Sequence, residues 1–440
     1  MSRVSLAPYI ASAATAPVHM PTGVVIEVVG LIVEVGGLKA GVGDMLRVLT
    51  SAPTPLDLEV IGFRAGRLLA TPLGPVAGVR PGARVTHSTR GADVPVGPGM
   101  LGRIFDAFGD PLDERPAPPA TSSRPLRSPP PQAISRKPID KAFITGVRAI
   151  DAMLTLGQGQ RVGIFAGSGV GKTTLLGMIC RSSQADVNVI GLVGERGREV
   201  NDFLRTALGE EGLARSVVIV ATSDQPPLVR TRAAEAATSV AEHFRDQGKN
   251  VLLVMDSVTR FAMSLREAAL ASGEPPATKG YPPSVFAALP RLLERTGTSS
   301  GRGIITALYT VLVEGDDLSD PIADAVRGIL DGHIVLSRKL AERGHFPAID
   351  VLQSVSRLAP VVASAAQVRA AAAVRDLMGA YRDAADLIQV GAYVPGSDPR
   401  VDTACRLMPS ITTFLQQNAA ERALPDLTLQ KLIALSGGTA

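Results

Sequence analysis

The chain has 440 residues, 45% of them hydrophobic and 20% charged, so its composition excludes a disordered protein and its length suits two or three domains. Its net charge of +4 is too small for this length to indicate an anionic partner. The two cysteines, Cys180 and Cys405, lie far apart without CxxC spacing, and the five histidines do not cluster. Neither a disulfide framework nor a protein-built metal site is indicated, so any metal should arrive with a substrate.

The first twenty residues hold many small side chains and one basic residue, Arg3, but no leucine-rich centre. They make a poor signal peptide, and we expect residues 1–20 to form a mobile arm. No apolar run approaches the roughly 18 to 20 residues that cross a bilayer. We therefore expect a cytoplasmic protein that is not integral to a membrane.

Residues 21–97 are rich in Val and Gly, with short β-type runs separated by turn residues. In PLDLEVIG, Leu56, Leu58 and Val60 alternate with acidic residues, which is typical of a strand with one buried face. We predict a small closed β-barrel. Residues 98–145 should connect it to the next domain. This connection holds nine prolines between Pro111 and Pro138 and should not be helical.

From residue 146 to residue 360, apolar runs alternate with longer helical segments. The runs are RVGIFAG, VNVIGLVG, SVVIVAT, NVLLVMD and GIITALYTVL. Near-continuous apolar runs suit strands that helices cover on both faces, so we predict an α/β domain with a mostly parallel sheet. Residues 361–440 have helical periodicity, with Val374, Met378 and Tyr381 on one stripe, and should form a helical C-terminal domain.

A phosphate-binding loop is predicted where AGSGVGKTT follows the first of these apolar runs and precedes a helix-like segment. Glycines let backbone amides turn toward phosphates, Lys172 supplies a cation, and the Thr173 hydroxyl can reach Mg²⁺. Ala166 stands where the strict pattern has its first glycine, so the turn there must tolerate a Cβ. The candidate nucleotide-binding residues are Gly167, Ser168, Gly169, Val170, Gly171, Lys172, Thr173 and Thr174.

Two carboxylates complete the candidate site. Asp256 ends the run VLLVM, where a carboxylate can hold Mg²⁺, usually through water. Glu195 lies in GERGRE, just after VNVIGLV, at the mouth of the same sheet. We predict that Asp256 belongs to the magnesium site and that Glu195 is the base that orients the attacking water.

The GERGRE run, the segment SVTRFA after Asp256, and PAIDVLQSVSR (residues 347–357) together resemble the catalytic subunits of rotary F-type ATPases and their export relatives. The resemblance covers nearly the whole chain from Gly23. GYPPSVFAALPRLLERTG and YTVLVEGDDLSDPIADAVRGILDGHIVLSR look like the type III export ATPases, and GSGVGKT with VGAYVPGSDPRVD is more similar to the flagellar members. This implies a small N-terminal barrel, a RecA-like central ATPase domain and a C-terminal helical domain.

The resemblance also implies roles for single residues. Lys172 and Thr173 would contact ATP and Mg²⁺, and Glu195 would be the catalytic base. Arg196 and Arg260 would be supporting cations. Arg357 resembles an arginine finger that reaches a neighbouring subunit's nucleotide. Phe346 stands where the family places an aromatic ring on adenine.

The function implied is Mg²⁺-dependent ATP hydrolysis that energises or regulates export of unfolded proteins through the flagellar type III apparatus. The implied assembly is a homohexamer at the inner face of the cytoplasmic membrane, associated only peripherally. Its partners would be a stator or regulator protein, the export gate and cargo–chaperone complexes. Cargo contacts are expected in the helical region after Pro360.

Four alternatives remain at this point. The chain could serve an injectisome instead of a flagellum, or be a rotary ATP synthase catalytic subunit. It could be a hexameric RNA translocase, although Phe63 is the single aromatic residue between Pro21 and Gly97, which is a poor stacking platform for nucleic acid. It could also be a nucleotide-binding scaffold without turnover, in which case Glu195 and Arg357 would have no purpose.

Overall fold

The computed structural model describes residues 21–50, 55–313 and 319–437. The chain divides into two compact units, one ending at Ala92 and the other beginning at Asp93. The predicted arm over residues 1–20 lies outside the described residues. Among the helices that the structure describes, none is both long and apolar enough to cross a membrane.

The first unit is a closed barrel of six antiparallel strands in the order β1-β2-β5-β4-β3-β6, closed by pairing of β6 with β1. The strands are β1 (Gly23–Val29), β2 (Ile32–Gly36), β3 (Met45–Val48), β4 (Leu56–Arg64), β5 (Arg67–Pro72) and β6 (Arg84–His87). Leu56, Leu58 and Val60 are buried in its core, as their alternation with acidic residues indicates. The predicted barrel is confirmed.

The barrel's last strand ends before residue 97, because the next segment pairs elsewhere. Strand β7 (Asp93–Val96) pairs with β9 (Ser122–Pro125) inside the second unit. Between them, β8 (Arg103–Phe105) joins the edge of the central sheet. The proline-rich stretch is therefore part of the second unit, and its one helical turn is the short 3₁₀ segment Ala133–Ser135.

The second unit is built on an eight-stranded sheet in the order β18-β17-β12-β16-β15-β13-β14-β8. Its remaining strands are β12 (Arg161–Ala166), β13 (Val187–Val193), β14 (Ser216–Ala221), β15 (Asn250–Asp256), β16 (Ile304–Leu312), β17 (Gly332–Leu336) and β18 (Ile349–Ser356). Every pairing is parallel except that of β17 with β18. The five predicted runs are β12 to β16, and all residues of β13 and β14 are buried. A small separate ladder pairs β10 (Ala142–Phe143) with β11 (Leu156–Gly157).

Helices cover this sheet and form the C-terminal region. Up to the last strand they are α1 (Arg148–Met153), α2 (Lys172–Ser182), α3 (Gly197–Asp202), a π-helical turn (Phe203–Leu208), α4 (Gly209–Ala214), α5 (Pro227–Asp246), α6 (Val258–Ala271), α7 (Pro283–Leu293), α8 (Pro321–Ile329) and α9 (Arg338–Glu342). After it come α10 (Ala359–Val362), α11 (Ala365–Asp383), α12 (Ala385–Gln389), α13 (Pro399–Leu415) and α14 (Pro425–Leu435). Val374 on α11 is fully buried in the main core, and Met378 packs against that core. The predicted helical C-terminal region is confirmed.

Candidate functional site

The phosphate-binding loop lies between the end of β12 at Ala166 and the start of α2 at Lys172. Gly169 (φ 77°) and Gly171 (φ 88°) take the left-handed conformation that side chains disfavour, so these two positions require glycine. Ala166 instead lies within β12, paired with Leu312 and Leu336. Strand conformation suits any side chain, which explains why a Cβ is tolerated there.

Three charged side chains meet at the carboxyl edge of the sheet. Lys172 Nζ lies 2.5 Å from Asp256 Oδ1 and 3.5 Å from Glu195 Oε1. Asp256 ends β15 and Glu195 follows β13, and because these strands are parallel neighbours, both carboxylates emerge at one edge. All three side chains are at most 12% exposed.

Burial and mutual charge shift the protonation of this cluster. Burial, with the nearby Asp256 charge, raises the pKa of Glu195 to about 7, although Lys172 acts against the shift. Burial by itself would lower the pKa of Lys172, but the charges of Asp256 and Glu195 raise it. Lys172 therefore stays a cation at neutral pH, whereas Glu195 exchanges a proton near pH 7.

A cavity of about 920 Å³ opens over this cluster. Of the residues predicted for the site, it is lined by Gly167, Ser168, Gly169, Gly171, Lys172, Thr173, Glu195, Arg196, Asp256 and Arg260. Val170 of the loop is buried and Thr174 is exposed on α2, and neither lines the cavity.

The two supporting cations differ in their surroundings. Arg196 is exposed and forms an ion pair of 3.1 Å with Glu199. Arg260 lies in the first turn of α6, where its Nε is buried without a hydrogen-bond partner among the described residues. A buried guanidinium nitrogen without a partner fits a site that receives an anion such as a phosphate.

Phe346 lies beside the phosphate-binding loop. A Cβ placed on Gly171 would lie 3.4 Å from the Phe346 ring, which is 45% exposed. The backbone amide of Gln417 donates to the Phe346 carbonyl at 2.9 Å, which ties this position to the C-terminal region.

Arg357 lies at the opposite edge of the sheet. Because β18 is antiparallel, it ends where the parallel strands begin, and Ser356 pairs with Gly332. The Arg357 amide donates to Asp331 O, and the Asp331 amide donates to Arg161 O at the start of β12. The six residues of β12, about 20 Å, separate this position from the phosphate-binding loop. In the described part of the chain, the exposed Arg357 side chain has no ion pair or hydrogen bond.

Sequence reasoning missed several residues of the site. Thr310 Oγ1 lies 2.6 Å from Asp256 Oδ1. The sequence feature that could have indicated Thr310 is its position as a polar residue inside an apolar run. Arg266 and Tyr281 line the cavity, with the guanidinium 5.1 Å from the ring centre. Neither belongs to a motif that spacing alone would identify.

The oxygen atoms of the site fit magnesium better than a softer metal. Thr173 and Asp256 offer a hydroxyl and a carboxylate, the oxygen ligands that Mg²⁺ prefers. No group of three His, Cys, Asp or Glu side chains within the described ranges could hold a metal alone. Phosphate oxygens of a nucleotide would have to supply the remaining ligands.

Comparisons with known proteins agree with this geometry. Residues 146–356 match the ATP synthase alpha/beta family, nucleotide-binding domain, and residues 363–434 match the T3SS EscN ATPase C-terminal domain. The flagellum-specific ATP synthase of Bacillus subtilis is 49% identical over 94% of this chain and 95% of its own length. The SPI-2 type 3 secretion system ATPase of Salmonella typhimurium is 50% identical over 85% of this chain and 86% of its own length.

Solved structures give the same result for the fold. The assembled ATPase EscN from the enteropathogenic E. coli type III secretion system superposes with a TM-score of 0.89 at 46% identity, covering 94% of this chain and all of that one. A barrel, a parallel-sheet nucleotide-binding domain and a C-terminal helical region are thus accounted for together. The chain belongs to the ATP synthase alpha/beta family, among the ATPases of flagellar and type III secretion systems.

Proposed function

We propose that this ATPase hydrolyses ATP with Mg²⁺ at sites shared between identical subunits, and that turnover drives protein export through a flagellar type III apparatus. The observation that carries the proposal is the meeting of Lys172, Glu195 and Asp256 at one edge of the sheet. A cation, a carboxylate for the metal and a carboxylate for water are the parts that phosphoryl transfer to water needs.

The phosphate-binding loop holds the nucleotide. Backbone amides around Gly169 and Gly171, at the start of α2, would donate to the phosphates. Lys172 would leave its carboxylate partners for the outer phosphates, and Arg260 would contribute its buried Nε, which has no hydrogen-bond partner among the described residues. Phe346 would stack on the adenine beside Gly171.

Thr173 and Asp256, which both line the cavity, would hold the magnesium ion. Magnesium held there would supply positive charge next to the phosphate oxygens. Glu195 orients the attacking water and accepts its proton. A pKa of about 7 suits this role, because a base works best when its pKa lies near the working pH.

Arg357 would complete the site of a neighbouring subunit. Within one chain it lies at the edge opposite Lys172, and this separation supports the proposal that it serves another chain's nucleotide. A head-to-tail arrangement forms a closed ring when the rotation between neighbouring subunits divides a full turn evenly, and we propose a homohexamer of this kind. EscN has been solved as an assembled ATPase and in complex with its central stalk EscO, and a comparable stalk protein is proposed here.

The flagellar assignment is supported by relatives over most of the chain, including the flagellum-specific ATP synthase of Salmonella typhimurium at 53% identity over 86% of this chain. An injectisome is the second candidate, favoured by the likeness to EscN. In either system we propose contacts with a stator or regulator, the export gate and cargo–chaperone complexes, with peripheral membrane association. Cargo contacts are assigned to the helical region after Pro360.

The proposed activity is tested with purified full-length protein. ATP hydrolysis should require Mg²⁺, stop with EDTA, and rise more steeply than linearly with protein concentration as rings form. Deleting the gene in its host should abolish flagellar export and motility. Loss of injectisome secretion with normal motility would support the second candidate instead, and ATP turnover independent of Mg²⁺ would contradict the proposed chemistry.

A further inference from the structure

We infer that Thr310 is a positioning residue of the nucleotide site: its hydroxyl holds one oxygen of the Asp256 carboxylate and thereby directs the other oxygen to the magnesium ion. This inference rests on the proposed function, because it takes Asp256 as the residue that faces the metal. Thr310 itself would touch neither nucleotide nor metal.

The contact between Thr310 and Asp256 is short and buried. Thr310 Oγ1 lies 2.6 Å from Asp256 Oδ1 but 3.3 Å from Met255 O, and the Thr310 residue is fully buried. An ionised carboxylate has no hydrogen to give, so the hydroxyl donates its single hydrogen to Asp256. A hydrogen bond to a charged acceptor away from water is among the stronger ones in proteins.

The two oxygens of Asp256 are used differently. Both the Thr310 hydroxyl and Lys172 Nζ reach Oδ1, and no hydrogen bond from the described residues reaches Oδ2. Oδ2 is thus left for a ligand. When Lys172 turns to the phosphates, Thr310 remains as the protein donor that fixes the carboxylate orientation.

The sheet holds Thr310 in place for this task. Strands β15 and β16 are parallel neighbours with Met255 level with Tyr309, so Thr310 follows one residue later beside Asp256. The backbone around it is fixed from both sides, because β16 also pairs with β12 up to Leu312. A valine would match the threonine in shape but could not donate, and a serine could.

The test uses the full-length protein with Thr310→Val and Thr310→Ser. For each we would measure the Mg²⁺ concentration that gives half-maximal ATP hydrolysis, and the affinity for a fluorescent ATP analogue with Mg²⁺ and with EDTA. Thr310→Val should raise the required Mg²⁺ concentration about tenfold and weaken binding only when Mg²⁺ is present. Thr310→Ser should restore most of both values.

Thr306→Val is the matched control, since Thr306 is also buried on β16 and its hydroxyl also forms a hydrogen bond, accepted from the Gly159 amide at 2.9 Å. It lies near the other end of the strand and should leave the Mg²⁺ requirement unchanged. If Thr310→Val does not fold, Thr310→Ala replaces it and is compared with Thr310→Ser in the same assays.

Three results would overturn the inference: an unchanged Mg²⁺ requirement in Thr310→Val, equal weakening of binding with Mg²⁺ and with EDTA, or a serine variant as impaired as the valine variant. The Asp256→Ala variant distinguishes failure of this inference from failure of the proposed function. If Asp256→Ala keeps normal Mg²⁺-dependent binding, the magnesium assignment itself is wrong. If it loses that binding while Thr310→Val does not, only the role of Thr310 is wrong.

Discussion

The charged cluster at the carboxyl edge of the central sheet and Arg357 at the amino edge have opposite surroundings. At the carboxyl edge, Lys172, Glu195 and Asp256 are buried and paired with one another. At the amino edge, Arg357 is exposed, and its side chain has no partner within the part of the chain that the structure describes. A buried charge without a partner destabilises the folded state, whereas an exposed arginine is solvated by water and remains available to bind a group of another molecule.

This difference supports the proposal that two neighbouring copies of the chain contribute to each site. We propose that the carboxyl edge binds the nucleotide. The amino edge offers a cation about 20 Å away along β12, too far to reach the same nucleotide. Variants at each edge should therefore fail in different ways.

The largest effect is expected for Lys172→Ala, which removes the cation for the outer phosphates. Hydrolysis should fall by about a thousandfold or more, because charge on the transferring phosphoryl group is no longer neutralised. A coupled-enzyme assay would measure the rate. Lys431→Ala, an exposed lysine on α14, is the control and should behave like the parent. Retained turnover in Lys172→Ala would contradict the phosphate-binding assignment.

Arg357→Ala should also lower hydrolysis by about a thousandfold, but for a reason at the other edge. Its own nucleotide cavity is intact, so equilibrium binding of a fluorescent ATP analogue should match the parent. Arg406→Ala, an exposed arginine on α13, is the matched control. Parent-like turnover in Arg357→Ala would make this residue a structural cation only.

Glu195→Gln sharpens the comparison within the carboxyl edge. Hydrolysis should fall by at least about a hundredfold while ATP still binds, because the carboxylate acts mainly on the attacking water. Steady-state kinetics and nucleotide titration measure the two quantities. Glu210→Gln, exposed on α4, serves as the control. Loss of binding in Glu195→Gln would mean that Glu195 is structural.

The pH dependence should follow the same carboxylate. Burial raises the pKa of Glu195 to about 7, and only its ionised form can accept a proton. Hence kcat/KM should fall by about tenfold per pH unit below pH 7 and level off above it. Lys172 stays charged across this range because its pKa is raised. A flat profile from about pH 5 to about pH 8 would argue against Glu195 as the base.

Phe346→Ala should have the smallest effect. Losing the ring beside Gly171 should raise KM for ATP by about three- to tenfold, while kcat changes little, since stacking acts on binding. Phe346→Tyr keeps an aromatic face and should keep the parent KM. A large fall in kcat with unchanged KM would contradict the stacking role, because it would mean that the ring acts on the transition state and not on nucleotide binding.

Much of the fold could be predicted because strands that are buried on both faces consist almost entirely of apolar residues. Strands β12 to β16 are covered on both faces and appear as apolar runs. Strand β18 is harder, since its burial alternates and its antiparallel direction is not written in its composition. Strand β8 has three residues, and its partner β14 comes more than a hundred residues later.

The residues of the site also fall into those that could be predicted from the sequence and those that could not. The phosphate-binding loop, Glu195 and Asp256 could be predicted because each directly follows or ends an apolar run. Thr310 could not, because its partner depends on the register between β15 and β16, which sequence spacing does not give. The roles assigned to these residues, and the predicted domain boundaries, remain predictions.

The most direct test of shared sites is to mix Lys172→Ala and Arg357→Ala proteins, each nearly inactive alone. In randomly assembled rings, roughly a quarter of interfaces would pair an intact Lys172 with an intact Arg357, so ATP hydrolysis should partly recover on mixing. Native mass spectrometry would verify that mixed rings form. If verified mixed rings stay as inactive as their parents, or if a proven monomer hydrolyses ATP at the full rate, the shared-site account is contradicted.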